Sequence, residues 1–140
     1  ESLPNDSKFM LQINGGGDIF RDGWVADYPS PESFLSIFYG EPVENDTAHI
    51  SYPNTQRYVN KEYDVYYEKG RDAIDRDTAA AYFLKAEQIL MAEAPLITLW
   101  YESNYRLLSN HLVNFYVNPL RHFDFSEVDV RMDKKEENKK

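Results

Sequence analysis

Two short segments near the N-terminus carry several apolar residues and are predicted to form short β-strands. They comprise residues 9–13 and 19–24. Between them, residues 14–17 read Asn-Gly-Gly-Gly, a composition that favours a turn. This part of the chain therefore predicts two strands joined by a glycine-rich loop.

Three helices are predicted downstream from capping residues and from three-and-four apolar spacing. Ser30 caps a short helix over residues 31–39, Asn60 caps a helix that runs to about Lys69, and Asp77 caps a helix over residues 78–94. The predicted buried face of the short helix is Phe34, Leu35, Ile37 and Phe38. The predicted core stripe of the last helix is Ala79, Tyr82, Phe83, Ala86, Ile89 and Leu90.

The C-terminal third is rich in β-favourable residues and predicts further strands. Pro95 interrupts the last helix, and an apolar strand is predicted over residues 96–101. Shorter strands are predicted over residues 105–108, 113–117 and 128–131. Together with the helices, this pattern indicates an α/β chain.

Composition and charge narrow the classes of function. The chain has 140 residues and a net charge of -9, which disfavours binding to a nucleic-acid backbone. It has no cysteine, which excludes disulfides and thiolate zinc sites. The sequence contains no apolar run of the length that a membrane span requires.

The segment after the second predicted strand carries the most specific motif. Its residues are Gly23, Trp24, Ala26, Asp27, Tyr28 and Pro31. This motif resembles that of the extracytoplasmic solute-binding proteins of peptide transporters, the family of oligopeptide- and dipeptide-binding proteins. Residues 86–91, 94–101 and 104–107 also resemble the family, and the likeness extends over about residues 18–130.

The resemblance implies an α/β fold of the periplasmic-binding-protein type, in which two lobes with a mixed sheet and flanking helices close on a ligand. Family members are several hundred residues long, so residues 1–132 are expected to be a C-terminal portion, one compact unit that lacks most of the first lobe. A mixed-charge tail over residues 133–140 is expected to be disordered.

The resemblance also implies function, location and partners. The expected role is to bind a peptide or similar solute and deliver it to the membrane permease of an ABC-type importer, without catalysis and without a cofactor. The expected location is periplasmic or extracytoplasmic, and a lipid anchor on a missing N-terminal segment is one arrangement that the family allows. The missing portion, as a separate chain, is a further candidate partner.

Within the motif, the resemblance assigns the acidic residue to the free amino terminus of a bound peptide. That residue is Asp27, and its alternative role is a turn aspartate bonded to local backbone amides. Trp24 and Tyr28 are candidate walls of the site, although core packing explains Trp24 equally well. Arg21 matches a position near the peptide carboxylate, but a structural ion pair is equally plausible.

The fifth candidate is Glu102, which stands where some peptide binders have an aromatic residue. A glutamate there suits a cationic ligand group, and its alternative is a solvent-facing residue at a strand end. Asp72, Asp75 and Asp77 lack the glycine and terminal glutamate of an EF-hand, so no metal site is predicted.

The scattered histidines and the absence of a thiol nucleophile give no support to an enzyme. The alternative function is a structural or interaction module whose tyrosine-rich surface docks onto another polypeptide and binds no solute. The eleven tyrosines of the chain suit either a ligand site or such a surface.

Overall fold

The structure is a computed structural model that describes residues 3–43, 48–103, 105–118, 120 and 122–131. The chain forms two compact units, Glu1–Thr98 and Leu99–Lys140. The prediction of a single domain over residues 1–132 stays a prediction, and the predicted tail over residues 133–140 lies outside the described residues.

Helices dominate the described part of the first unit, and a small sheet occurs in the second. The helices are α1 (Asn5–Ile13), α2 (Glu32–Leu35), which continues as a 3-10 turn (Ser36–Phe38), α3 (Lys61–Asp72) and α4 (Arg76–Glu93). The strands β1 (Leu112–Val113) and β2 (Asp129–Val130) pair antiparallel, with Leu112 opposite Val130. These elements are compatible with the α/β class.

The predicted strand over residues 9–13 is wrong, because this segment forms the last turns of α1. The glycines that follow it end a helix. Gly16 donates its N–H to the Leu11 carbonyl over 2.9 Å and Gly15 donates to the Gln12 carbonyl over 3.0 Å, with Gly15 at φ 71°. This Schellman geometry requires a left-handed residue, which explains the glycine run.

The capping residues of α3 and α4 show how far local sequence determines helix starts. Asn60 caps α3 as predicted, since its side chain accepts the N–H groups of Glu62 and Tyr63 over 2.8 and 3.0 Å. Asp75, and not the predicted Asp77, caps α4 by accepting the Thr78 N–H over 2.8 Å. Aspartate at either position favours an N-cap, and in the structure the carboxylate of Asp75 accepts the N–H of the first turn.

The core lies between α3 and α4, and the short helix α2 covers it. The predicted stripe of α4 is confirmed, since each of its residues is buried or half-buried. Phe34 of the predicted α2 face is exposed instead. The buried cluster consists of Leu35, Phe38, Tyr63, Tyr67, Phe83, Ala86 and Leu90.

The other predicted strands are mostly absent from the described residues. Residues 19–24, 96–101 and 105–108 form no ladder. The predicted strand over 113–117 overlaps β1 only at Val113, and the predicted strand over 128–131 shortens to β2. A strand requires the backbone of a partner, and apolar alternation alone does not supply one. No described helix is both long enough and apolar enough to cross a bilayer.

Candidate functional site

The motif lies in a segment without regular secondary structure between α1 and α2. Lys8 of α1 holds the start of this segment, because its ammonium donates to the Arg21 carbonyl over 3.2 Å and lies 3.6 Å from the Asp22 carboxylate. The same carboxylate accepts the N–H of Gly23 over 2.9 Å. Asp22 is therefore engaged in local structure.

Asp27 differs from Asp22 in how its side chain is used. Its backbone N–H donates to the Ser33 hydroxyl over 2.9 Å, while the side chain is exposed. Among the residues that the structure describes, no hydrogen bond or ion pair reaches the Asp27 carboxylate. The structure thus presents an accessible anion on a backbone that is hydrogen-bonded, and the alternative of a carboxylate bonded to local amides is not seen.

The two aromatic candidates flank Asp27 in the sequence and remain partly accessible. Trp24 is 36% exposed and Tyr28 is 42% exposed, and neither belongs to the buried cluster. Trp24 is thus partly covered and partly open, and both of its predicted roles stay predictions. Both rings offer surface that a ligand can cover.

Arg21 and Glu102 occupy exposed positions. Arg21 lies in the first unit with Asp27, Trp24 and Tyr28, whereas Glu102 belongs to the second unit. The ligand-binding roles of all five candidates stay predictions.

The motif is supported by tyrosines of α3 that sequence reasoning missed. Tyr67 donates its hydroxyl to the Glu32 carboxylate over 2.7 Å, and Tyr63 donates to the Leu35 carbonyl over 2.6 Å. Burial raises the pKa of both phenols, and the bond to Glu32 raises that of Tyr67 further, so both hydroxyls remain protonated donors. Their four-residue spacing on one helix face is a sequence signal for this role.

Ser33 is a second residue that sequence reasoning missed. It is 1% exposed, and the short polar side chain gave no apolar signal for burial.

In the described parts of the chain, no group of three or more carboxylates and histidines is arranged to hold a metal ion. An exposed carboxylate flanked in the sequence by aromatic residues suits recognition of a cation, and this role of the segment stays a prediction.

Comparison with known proteins identifies relatives among bacterial solute-binding proteins. The chain is 26% identical over 117 residues to "Di/tripeptide-binding protein 4" of Pseudomonas aeruginosa, covering 84% of this chain and 21% of that protein. It is 30% identical over 94 residues to the periplasmic oligopeptide-binding protein OppA of Salmonella typhimurium, covering 67% and 16%. It is 26% identical over 110 residues to the "Probable deoxycholate-binding periplasmic protein YgiS" of Escherichia coli, covering 77% and 19%.

These findings confirm the resemblance that the motif predicted. The chain is related to extracytoplasmic peptide-binding proteins over most of its length, and its relatives are binding proteins, not enzymes. It spans about a fifth of the length of the relatives that it matches. No family model matches the chain, and no solved structure matches it at a significant level.

Proposed function

We propose that this chain supplies part of the site of a solute-binding protein that takes up a peptide between two lobes and delivers it to an ABC-type importer. The observation that carries the proposal is the similarity to peptide-binding proteins over 84% of the chain for the first relative named above. The accessible Asp27 carboxylate lies inside the motif that suggested this family. In this proposal the two lobes and their mixed sheet are features of a longer protein.

In the proposed mechanism, Asp27 receives the ammonium group of the peptide. A charged hydrogen bond of this kind strengthens when closure of the lobes removes water from both partners. Trp24 and Tyr28 then cover apolar surface of the ligand, and Arg21 approaches its carboxylate. Glu102 supplies a contact for a cationic side chain, and opening of the lobes at the permease releases the peptide.

The test is calorimetry on the native gene product with a short peptide and with its N-acetylated form. Replacement Asp27→Ala is expected to weaken binding of the free-amino peptide by about 2–5 kcal/mol and to leave the acetylated peptide nearly unchanged. Asp22→Ala is the matched control, because that carboxylate is already engaged by Lys8 and Gly23. Equal wild-type affinities for the two peptides would refute the role of Asp27.

The ligand class is the least constrained part of the proposal. One relative is named for deoxycholate, an amphipathic acid and not a peptide. Deoxycholate is therefore included in the same binding assay. If the protein binds deoxycholate more tightly than every peptide tested, the proposed ligand class changes from a peptide to an amphipathic acid. The proposed location is periplasmic, as the names of several relatives indicate, and a lipid anchor would be detected by intact-mass spectrometry.

The alternative is an interaction module that docks onto another polypeptide, and exposed apolar side chains favour it. The first part of the second unit exposes Tyr101, Tyr105 and Leu107 almost completely. A surface of this kind is a mark of an interaction site or of an aggregation hazard. Intact-mass analysis and light scattering of the native gene product discriminate the two functions, because a clean monomer that binds peptide contradicts the interaction module.

A further inference from the structure

Ser33 is a polar residue in a place where burial is costly unless the side chain is hydrogen-bonded. It lies in α2 and is 1% exposed, and its hydroxyl accepts the N–H of Asp27 over 2.9 Å. The bond joins residues six positions apart and ties the end of the segment before α2 to the helix. The hydroxyl therefore acts on the backbone of the residue that carries the proposed charge.

The short loop between the two residues is itself closed by hydrogen bonds. Ser30 donates its N–H to the Tyr28 carbonyl over 2.8 Å, and Ser33 donates its N–H to the Ser30 carbonyl over 3.2 Å. Pro29 and Pro31 fix two backbone angles of the same loop. A loop restrained in this way loses little conformational freedom when a ligand binds.

The helix that carries Ser33 is anchored on both sides of it. Tyr67 holds Glu32, the residue before Ser33, and Tyr63 holds the carbonyl of Leu35, two residues after it. Both tyrosines belong to the buried cluster of the first unit. The position of the Ser33 hydroxyl is thus determined by the core.

We propose that Ser33 is a positioning residue that sets the orientation of the Asp27 carboxylate for a ligand ammonium. This inference rests on the proposed function of Asp27 and goes beyond it, because it assigns selectivity for free amino termini to a buried hydroxyl that never touches the ligand. In this arrangement Tyr63 and Tyr67 hold α2, and the Ser33 hydroxyl of α2 holds the backbone of Asp27.

The test measures affinities of the native gene product for a free-amino peptide and for its N-acetylated form. Ser33→Ala is expected to weaken binding of the free-amino peptide by about 3- to 10-fold and to leave the acetylated peptide unchanged. In an Asp27→Ala background, Ser33→Ala is expected to change neither affinity. Ser36→Ala is the matched control in the same short helical segment, since its hydroxyl only donates to the Ser33 carbonyl over 3.4 Å.

Each outcome separates positioning from a general structural role. The ratio of the two affinities is measured within one variant, so partial unfolding of Ser33→Ala lowers both apparent affinities and leaves the ratio unchanged. An unchanged ratio, or an equal loss in the Asp27→Ala background, overturns the positioning role. A wild-type protein that does not discriminate the two peptides overturns the proposed function of Asp27, and the inference with it.

Discussion

Gly70 of α3 lies directly against the Phe83 ring of α4, and its replacement gives a test of the core. A Cβ atom at this position would lie 2.6 Å from both Cδ1 and Cε1 of Phe83. The Phe83 ring is buried, and its centroid lies 6.3 Å from that of the Tyr67 ring. The ring therefore has little room to move away from an added methyl group.

Two opposing effects determine the stability of the variant Gly70→Ala. Alanine is a better helix former than glycine by about 1 kcal/mol. Overpacking of a filled core costs about 1–3 kcal/mol, and contacts below 3.0 Å with ring carbons place this site at the upper end of that range. The expected net effect is a loss of about 2 kcal/mol in the free energy of unfolding.

The assay is urea unfolding followed by circular dichroism of the helices. With a slope of about 2 kcal/mol per molar, the midpoint is expected to fall by about 1 M. The control is Gly70→Ala in a Phe83→Ala background, where the ring is gone and the same change is expected to stabilise the protein by about 1 kcal/mol. If Gly70→Ala changes stability by the same amount in both backgrounds, the two residues are not in contact and the reasoning fails.

Two further predictions concern hydrogen bonds of tyrosines. Tyr63→Phe removes the 2.6 Å hydrogen bond to the Leu35 carbonyl and is expected to lower the free energy of unfolding, measured by thermal unfolding, by about 1–3 kcal/mol. Tyr66→Phe should cost less, and equal costs for the two variants would contradict the role of this bond. The hydrogen bond that Tyr58 donates to Glu93 lowers the pKa of the Glu93 carboxyl in the folded protein. The stability that this bond contributes is therefore present above the ordinary pKa of 4.5 and is lost as the pH falls through the lower folded pKa. Because Tyr58→Phe lacks this bond, its free energy of unfolding should fall less than that of the wild type between about pH 6 and about pH 3. Parallel curves of stability against pH for the two proteins would refute the coupling between Tyr58 and Glu93.

Local sequence was sufficient for the features that depend on near neighbours. Apolar spacing and breakers predicted the presence of α2, α3 and α4, and the cap of α3 at Asn60 was predicted correctly, because helix hydrogen bonds join residues four apart and a cap acts within three. The motif at residues 23–31 was likewise read from a contiguous run, and it predicted the relationship to peptide-binding proteins.

Tertiary structure decided what depends on distant partners. A short apolar run such as residues 9–13 fits a strand or a helix equally, and the strand requires a neighbouring backbone that the described residues do not provide. The burial of Ser33 and the close approach at Gly70 likewise arise only when α2, α3 and α4 pack together. Sequence by itself thus determined the helices and the identity of the motif, and packing determined which side chains support it, because burial is a property of contacts between elements.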